Sequence, residues 1–176
     1  MERRLVIKQV LIMAGGLALL PSCLKESGKS TILLKNISIN LDQENLLGEI
    51  AETMLPKTDT PGGKQLKLHL YVLKMLDDCY EETEQRQFIA GMEQFKDYVY
   101  NKNAKSFTKL STSQREGTLI ALENDKKLSP DLTAFYTIMK KRTIKGYLNS
   151  QYVMTNLIKW ELVPGRYNGY YPVKSA

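Results

Sequence analysis

Residues 65–101 read QLKLHLYVLKMLDDCYEETEQRQFIAGMEQFKDYVYN. In the first half Leu66, Leu70, Leu73 and Leu76 recur at helical spacing; in the second Phe88, Met92, Phe95 and Val99 do the same. Apolar side chains three and four positions apart share one face of an α-helix, so the stretch predicts two amphipathic helices, over about 65–80 and 82–101. Working back toward the N-terminus, Leu46, Leu47, Ile50, Met54 and Leu55 carry the same period. Asp42 is the expected cap and Pro56 the stop, followed by the turn-rich loop 57–63. Working forward, Ser111 with Gln114 three residues on is a capping-box signal for a fourth helix to about 124. The charged run 125–127 breaks it. Ser129-Pro130-Asp131 opens a fifth helix to about 147, with Leu132, Phe135, Ile138, Met139 and Ile144 apolar. A short helix is expected around 152–160, then an irregular aromatic tail. Residues 31–41, TILLKNISINL, alternate weakly, but no second convincing strand exists to pair with them, so they read as an extended lead-in. The expected fold is all-α, a single-domain bundle of five to six helices over 41–176, preceded by a signal over 1–22 and a tether and lead-in over 23–40.

The chain has 176 residues, 43% apolar and 25% charged, enough for one buried core and too apolar for a disordered chain. Its net charge is +6. Arg3, Arg4 and Lys8 against Glu2 account for +2 of it, so a chain without residues 1–22 keeps +4. That charge is too mild and too scattered to argue for a nucleic-acid partner.

The opening, MERRLVIKQVLIMAGGLALLPSC, is a charged start followed by an apolar run of about a dozen residues, short of the ~20 needed to span a bilayer. It reads as a signal peptide. Arg3 and Arg4, then Leu5-Val6-Ile7-Lys8, resemble a twin-arginine export signature. Leu20-Pro21-Ser22-Cys23 resembles a bacterial lipobox, in which the Cys23 sulfur receives the lipid that anchors the mature chain to a membrane. A disulfide with Cys79 is the competing use of Cys23. These readings imply a periplasmic, membrane-anchored protein.

Much catalytic chemistry is missing. No G-x-G-x-x-G follows a strand, no Walker A pattern occurs, and no C-x-x-C is present for an iron–sulfur cluster or c-type haem. His69 is the sole imidazole and reads as a core histidine with one ring nitrogen hydrogen-bonded. Cys79 reads as a buried small hydrophobe. Asp77, Asp78, Glu81 and Glu82 read as a solvated acidic loop. No catalytic, cofactor or metal residue is assigned.

Two segments are more specific. One is Met54-Leu-Pro-Lys-Thr-Asp-Thr-Pro-Gly-Gly63 followed by Leu68-His-Leu-Tyr-Val-Leu-Lys-Met-Leu-Asp-Asp-Cys-Tyr80. The other is Lys145-Gly-Tyr-Leu-Asn-Ser150 followed by Trp160-Glu-Leu-Val-Pro-Gly-Arg-Tyr-Asn-Gly169. Together they resemble the gluconate 2-dehydrogenase subunit 3 family, over roughly residues 40–172. Members carry a P-x-T-D-T-P-G-A loop, a G-Y-x-T/N-S turn and a V-P-G-R-Y-x-G tail. Gly63 stands here where alanine is common, and Asn149 where threonine is. The resemblance implies a non-catalytic small subunit that helps mature, export and anchor an FAD-dependent flavoprotein of the glucose–methanol–choline type. A cytochrome c subunit often completes such a complex. FAD is then the partner's cofactor. Arg166 and Tyr167 are candidate partner contacts, since Arg and Tyr are enriched at interface hot spots. Asp59 is a third candidate, although it reads first as part of a capped turn in which Asp and Thr hydrogen-bond to backbone and glycine permits positive φ. Two other classes stay open: a self-sufficient lipoprotein with a small ligand in a helical pocket, and an enzyme using His69 and the acidic cluster.

Overall fold

The computed structural model describes residues 28–158 together with 160, 161, 163, 165 and 168–170. Arg3, Arg4 and Cys23, and Arg166 and Tyr167, lie outside the described residues. Within them the chain is helical: α1 (Leu41–Met54), α2 (Leu68–Cys79), α3 (Glu82–Asn103), a 3₁₀ turn (Phe107–Lys109), α4 (Thr112–Asn124), α5 (Pro130–Leu148) and a π turn (Val153–Leu157). The all-α expectation holds. So does the lead-in, which forms no ladder beyond one isolated bridge between Lys29 and Asn40 among the described residues.

The helix ends follow local chemistry. Asn40, not Asp42, caps α1. Its side chain accepts from the Gln43 amide at 2.8 Å, and the Gln43 side chain accepts from the Asn40 amide at 3.0 Å. Ser111 and Gln114 make the expected capping box on α4. Ser129 caps α5 ahead of Pro130, whose missing N–H is harmless in a first turn. α2 begins at Leu68 rather than at Gln65, so its buried face is Leu68, Val72, Leu73 and Leu76, with Leu66 and Leu70 only partly buried.

α3 and α5 share the longest interface. Gly91 makes it possible: a Cβ there would stand 2.1 Å from the Asp131 carbonyl oxygen, so only glycine lets the two backbones approach. Phe88 and Phe95 of α3 then tilt against Phe135 of α5, ring centroids 4.9 and 5.6 Å apart, and Phe107 of the 3₁₀ turn closes on Phe95 at 5.3 Å. α1 and α2 complete the core with Leu47, Ile50, Val72, Leu73 and Leu76. Each such side chain contributes about 1.5–3 kcal/mol by leaving water.

The lead-in is also part of the body over residues 28–40. Ile39 is buried, and Ile32, Leu34 and Ile37 pack on the core. Two buried carboxylates strap it down. Glu44 of α1 accepts the Thr31 amide at 2.6 Å and the Thr31 hydroxyl at 2.5 Å. Asp77 of α2 accepts the amides of Lys35, Asn36 and Ile37 at 2.8, 2.7 and 3.2 Å, and the Asn36 side chain donates to the Asp77 carbonyl at 2.8 Å.

Candidate functional site

The two specific sequence segments meet at one end of the bundle. The first forms the loop between α1 and α2. Glu52, in the last turn of α1, gathers it: its carboxylate accepts the Lys57 amide at 3.1 Å and the Lys64 amide at 2.8 Å. The Gly63 amide donates to the Leu55 carbonyl at 2.8 Å, and the Leu68 amide to the Gly63 carbonyl at 2.9 Å. Both glycines are required by crowding rather than by φ, since neither has a positive φ. A Cβ on Gly62 would meet the Lys57 backbone nitrogen at 2.7 Å, and one on Gly63 would meet the Ala51 carbonyl oxygen at 2.4 Å. Glycine at 63 thus lets this loop close more tightly on α1 than alanine would. Lys67, just before α2, is held at φ 52, a left-handed conformation that non-glycine residues adopt at a cost of order 1 kcal/mol or more.

Glu49, one turn earlier on α1, ties this loop to α4. It accepts from the Lys64 ammonium at 2.6 Å and from Arg115, whose Nε also donates to the Phe107 carbonyl at 3.0 Å. Burial pushes the Glu49 carboxyl up, but the Lys64 and Arg115 cations outweigh it and hold the group below the usual carboxylate range.

The second segment, 145–150, ends α5 opposite that loop. Gly146 faces the Tyr71 ring of α2, where a Cβ would stand 2.7 Å from the ring edge. Between them runs an open cleft of about 610 Å³, lined among others by Lys67, Tyr71, Gly146, Asn149, Tyr152 and Asn156. The chain leaves it through the π turn. Such turns are rare, and functional sites are a frequent setting for them.

Among the candidate residues, only Asp59 lies within the described part. It is exposed at the tip of the loop, and its carboxylate makes no hydrogen bond among the described residues. The turn is closed instead by Thr58 and Thr60: the Thr58 amide donates to the Thr60 carbonyl at 3.1 Å, and the Thr60 amide to the Thr58 hydroxyl at 3.4 Å. The capped-turn reading of Asp59 is therefore corrected.

Three further expectations change. Cys79 is exposed, not buried, because it falls on the outer side of the last turn of α2. Asp77 is not solvated but 1% exposed, beneath the lead-in. Burial alone would raise its pKa; three backbone N–H groups and the Lys74 ammonium overcome that and hold it low. His69 packs its ring over Gly48, yet its Nδ1 is buried with no hydrogen-bond partner among the described residues. Burial drives its pKa down, with Glu44 opposing and Lys64 and Lys67 assisting. The acidic cluster and His69 thus do not form one site. Asp77 is engaged by backbone amides, whereas His69 lies beside α1.

Glu52 and Asp77 were not singled out as structural residues, although a local signal existed. Each is an acid in the last turn of its helix, where the negative end of the helix dipole disfavours it. Both are stabilised by amides from a neighbouring loop.

A model of the family described as gluconate 2-dehydrogenase subunit 3 matches residues 41–165. The chain belongs to this family. No curated protein and no solved structure matches it. The matched span includes both walls of the cleft. Membership in the gluconate 2-dehydrogenase subunit 3 family is consistent with an accessory subunit of a dehydrogenase complex. Among the described residues, no helix is long and apolar enough to cross a membrane, and no group of three or more His, Cys, Asp or Glu side chains is placed to hold a metal ion. For a small-ligand reading a second hollow of about 660 Å³ lies elsewhere, between α1, α3 and the 3₁₀ turn, lined by Asp42, Glu49, Lys96, Tyr100 and Phe107 among others.

Proposed function

We propose that this protein is the non-catalytic small subunit of a periplasmic, membrane-anchored dehydrogenase complex. It binds an FAD-dependent flavoprotein of the glucose–methanol–choline type, assists its maturation and carries it through export. In this reading a cytochrome c subunit is a further partner in the complex. FAD belongs to the large subunit, and this chain binds no cofactor. The observation that carries the reading is the family match over 41–165, in a chain that opens with Arg3 and Arg4 ahead of an apolar run and a Leu-Pro-Ser-Cys23 end. A flavoprotein folded around FAD crosses a membrane intact only by a route that accepts folded cargo. A partner lacking its own signal then depends on this one, and Cys23 supplies the lipid anchor.

Arg3→Lys with Arg4→Lys keeps the charge, so an ordinary secretory signal tolerates it. A twin-arginine signal does not, because lysine lacks the planar guanidinium fork. The double variant is expected to leave both subunits in the cytoplasm, with the flavoprotein active there. Cell fractionation with a dye-linked dehydrogenase assay reads this out. Normal arrival of the flavoprotein in the periplasm would remove the carrier role.

A further inference from the structure

Residues 132–160 contain no Asp or Glu, but carry Lys140, Lys141, Arg142, Lys145 and Lys159. Across the cleft, residues 60–76 are likewise free of acids and carry Lys64, Lys67 and Lys74. Several of these cations are already engaged. Lys64 pairs with Glu49, Lys74 with Asp78 and Lys140 with Glu123, while Arg142 donates to the Tyr80 hydroxyl at 2.7 Å. Lys67, Lys141 and Lys145 are exposed and make no ion pair among the described residues.

Apolar side chains stand among them. On α5, Lys141, Ile144, Lys145 and Leu148 follow an i, i+3, i+4, i+7 spacing and are all exposed, so they form one outward stripe. Leu157, the last residue of the π turn, and Ile158 and Trp160 after it are exposed as well. Together with Ile144 and Leu148 they are 43–58% exposed. None of the five lines the cleft itself, and Ile144 with Lys141 borders a groove against α4. Scattered exposed apolar residues are ordinary; five within residues 144–160, with three unpaired cations on α5 and just before α2, are the pattern of a surface that a partner covers.

We propose that this face is the surface on which the flavoprotein subunit docks: the outer stripe of α5, the cleft against α2 and the run through Trp160. The complementary patch on the flavoprotein is apolar at its centre and rimmed with Asp and Glu. The inference rests on the reading of the chain as an accessory subunit and places that contact. Charge complementarity selects an acidic occupant, because only acids match Lys67, Lys141 and Lys145. The cleft selects a protein over a lipid surface. It is concave and is lined by the amide side chains of Asn149, Gln151 and Asn156; Asn149 and Asn156 donate to the Lys145 and Tyr152 carbonyls of their own segment, which leaves their side-chain oxygens to accept from a protruding backbone segment. It also joins both specific sequence segments of the family match, which surface solubility alone gives no reason to bring together.

The full chain, tagged and produced in its native host, tests this. Lys67→Glu, Lys141→Glu and Lys145→Glu in one variant are expected to lower recovery of the FAD-containing subunit at least tenfold. Helix content should stay unchanged, and arginine at the same three positions should preserve recovery. A photo-crosslinking residue in place of Leu148 is expected to link to a flavoprotein segment flanked by Asp or Glu. Undiminished recovery in the triple glutamate variant, or a link to a segment without acids, overturns the placement while leaving the accessory reading intact. Loss of binding to phosphatidylglycerol vesicles with unchanged flavoprotein recovery overturns it in favour of a lipid surface. If the unaltered chain recovers no flavoprotein at all, the accessory reading fails and the placement with it.

Discussion

Two irregular segments flank the helices, and they are held in opposite ways. The lead-in, 28–40, has its backbone amides taken by carboxylates that the bundle keeps for the purpose: Glu44 for Thr31, and Asp77 for Lys35, Asn36 and Ile37. The segment after α5 leaves Leu157, Ile158, Trp160 and Val163 exposed. The first segment is satisfied by its own domain. The second has apolar surface to spare and unpaired cations beside it, as a subunit surface has before its partner arrives. An extended segment joins a fold only when its polar groups find partners there. Where they do and its apolar side chains do not, the surface is available to another chain.

The largest effect expected from this contrast is at Asp77. Asp77→Ala leaves three amides of the lead-in without their acceptor and should cost about 3 kcal/mol. Thermal unfolding measures the loss, and protease cleavage should appear first within 28–40. Unchanged cleavage there would mean that Ile39 and its apolar neighbours hold the lead-in unaided.

A smaller effect separates two titrations. Asp77 has a depressed pKa in the folded chain, so its contribution is present above the ordinary aspartate value of 3.8 and lost as pH falls through the lower folded value. His69 is also depressed, but it is a base: the unfolded chain takes up its proton near 6.5 while the folded chain resists. Stability should therefore begin to fall as pH drops below about 6.5, well before the lead-in loosens. His69→Leu is expected to remove the first phase and leave the second. Chemical denaturation across pH 3–8 distinguishes them.

The smallest effect is expected at the other end. Leu157→Ser with Ile158→Ser should change the stability of the isolated chain by less than about 0.5 kcal/mol, as exposed substitutions do. The same variant should weaken flavoprotein recovery. A large loss of stability would show that these side chains support this domain itself, and the contrast between the segments would collapse.

Much of the fold was legible locally. The Ser111–Gln114 box, the Ser129-Pro130 start and the Pro56 stop all depend on neighbours within a turn, and the helices they bound formed where expected. Phe88, Met92, Phe95 and Val99 are fully buried, as their spacing required. The candidate site was legible only in part. The two specific segments could be recognised in the sequence, but not that Gly146 would face Tyr71 and so close one end of the bundle.

By itself the sequence determined the all-α class, the helix boundaries to within a few residues and the family resemblance, because hydrophobic period, capping and turn chemistry act over four or fewer positions. Tertiary structure alone decided which acids are structural and which are solvated. Asp77 and Asp78 are adjacent, yet one is buried under amides 40 to 42 residues away and the other is exposed. That outcome depends on where the lead-in lands, and no local pattern encodes it. The same holds for Cys79 and His69, whose exposure and missing hydrogen bond follow from how α1 and α2 pack.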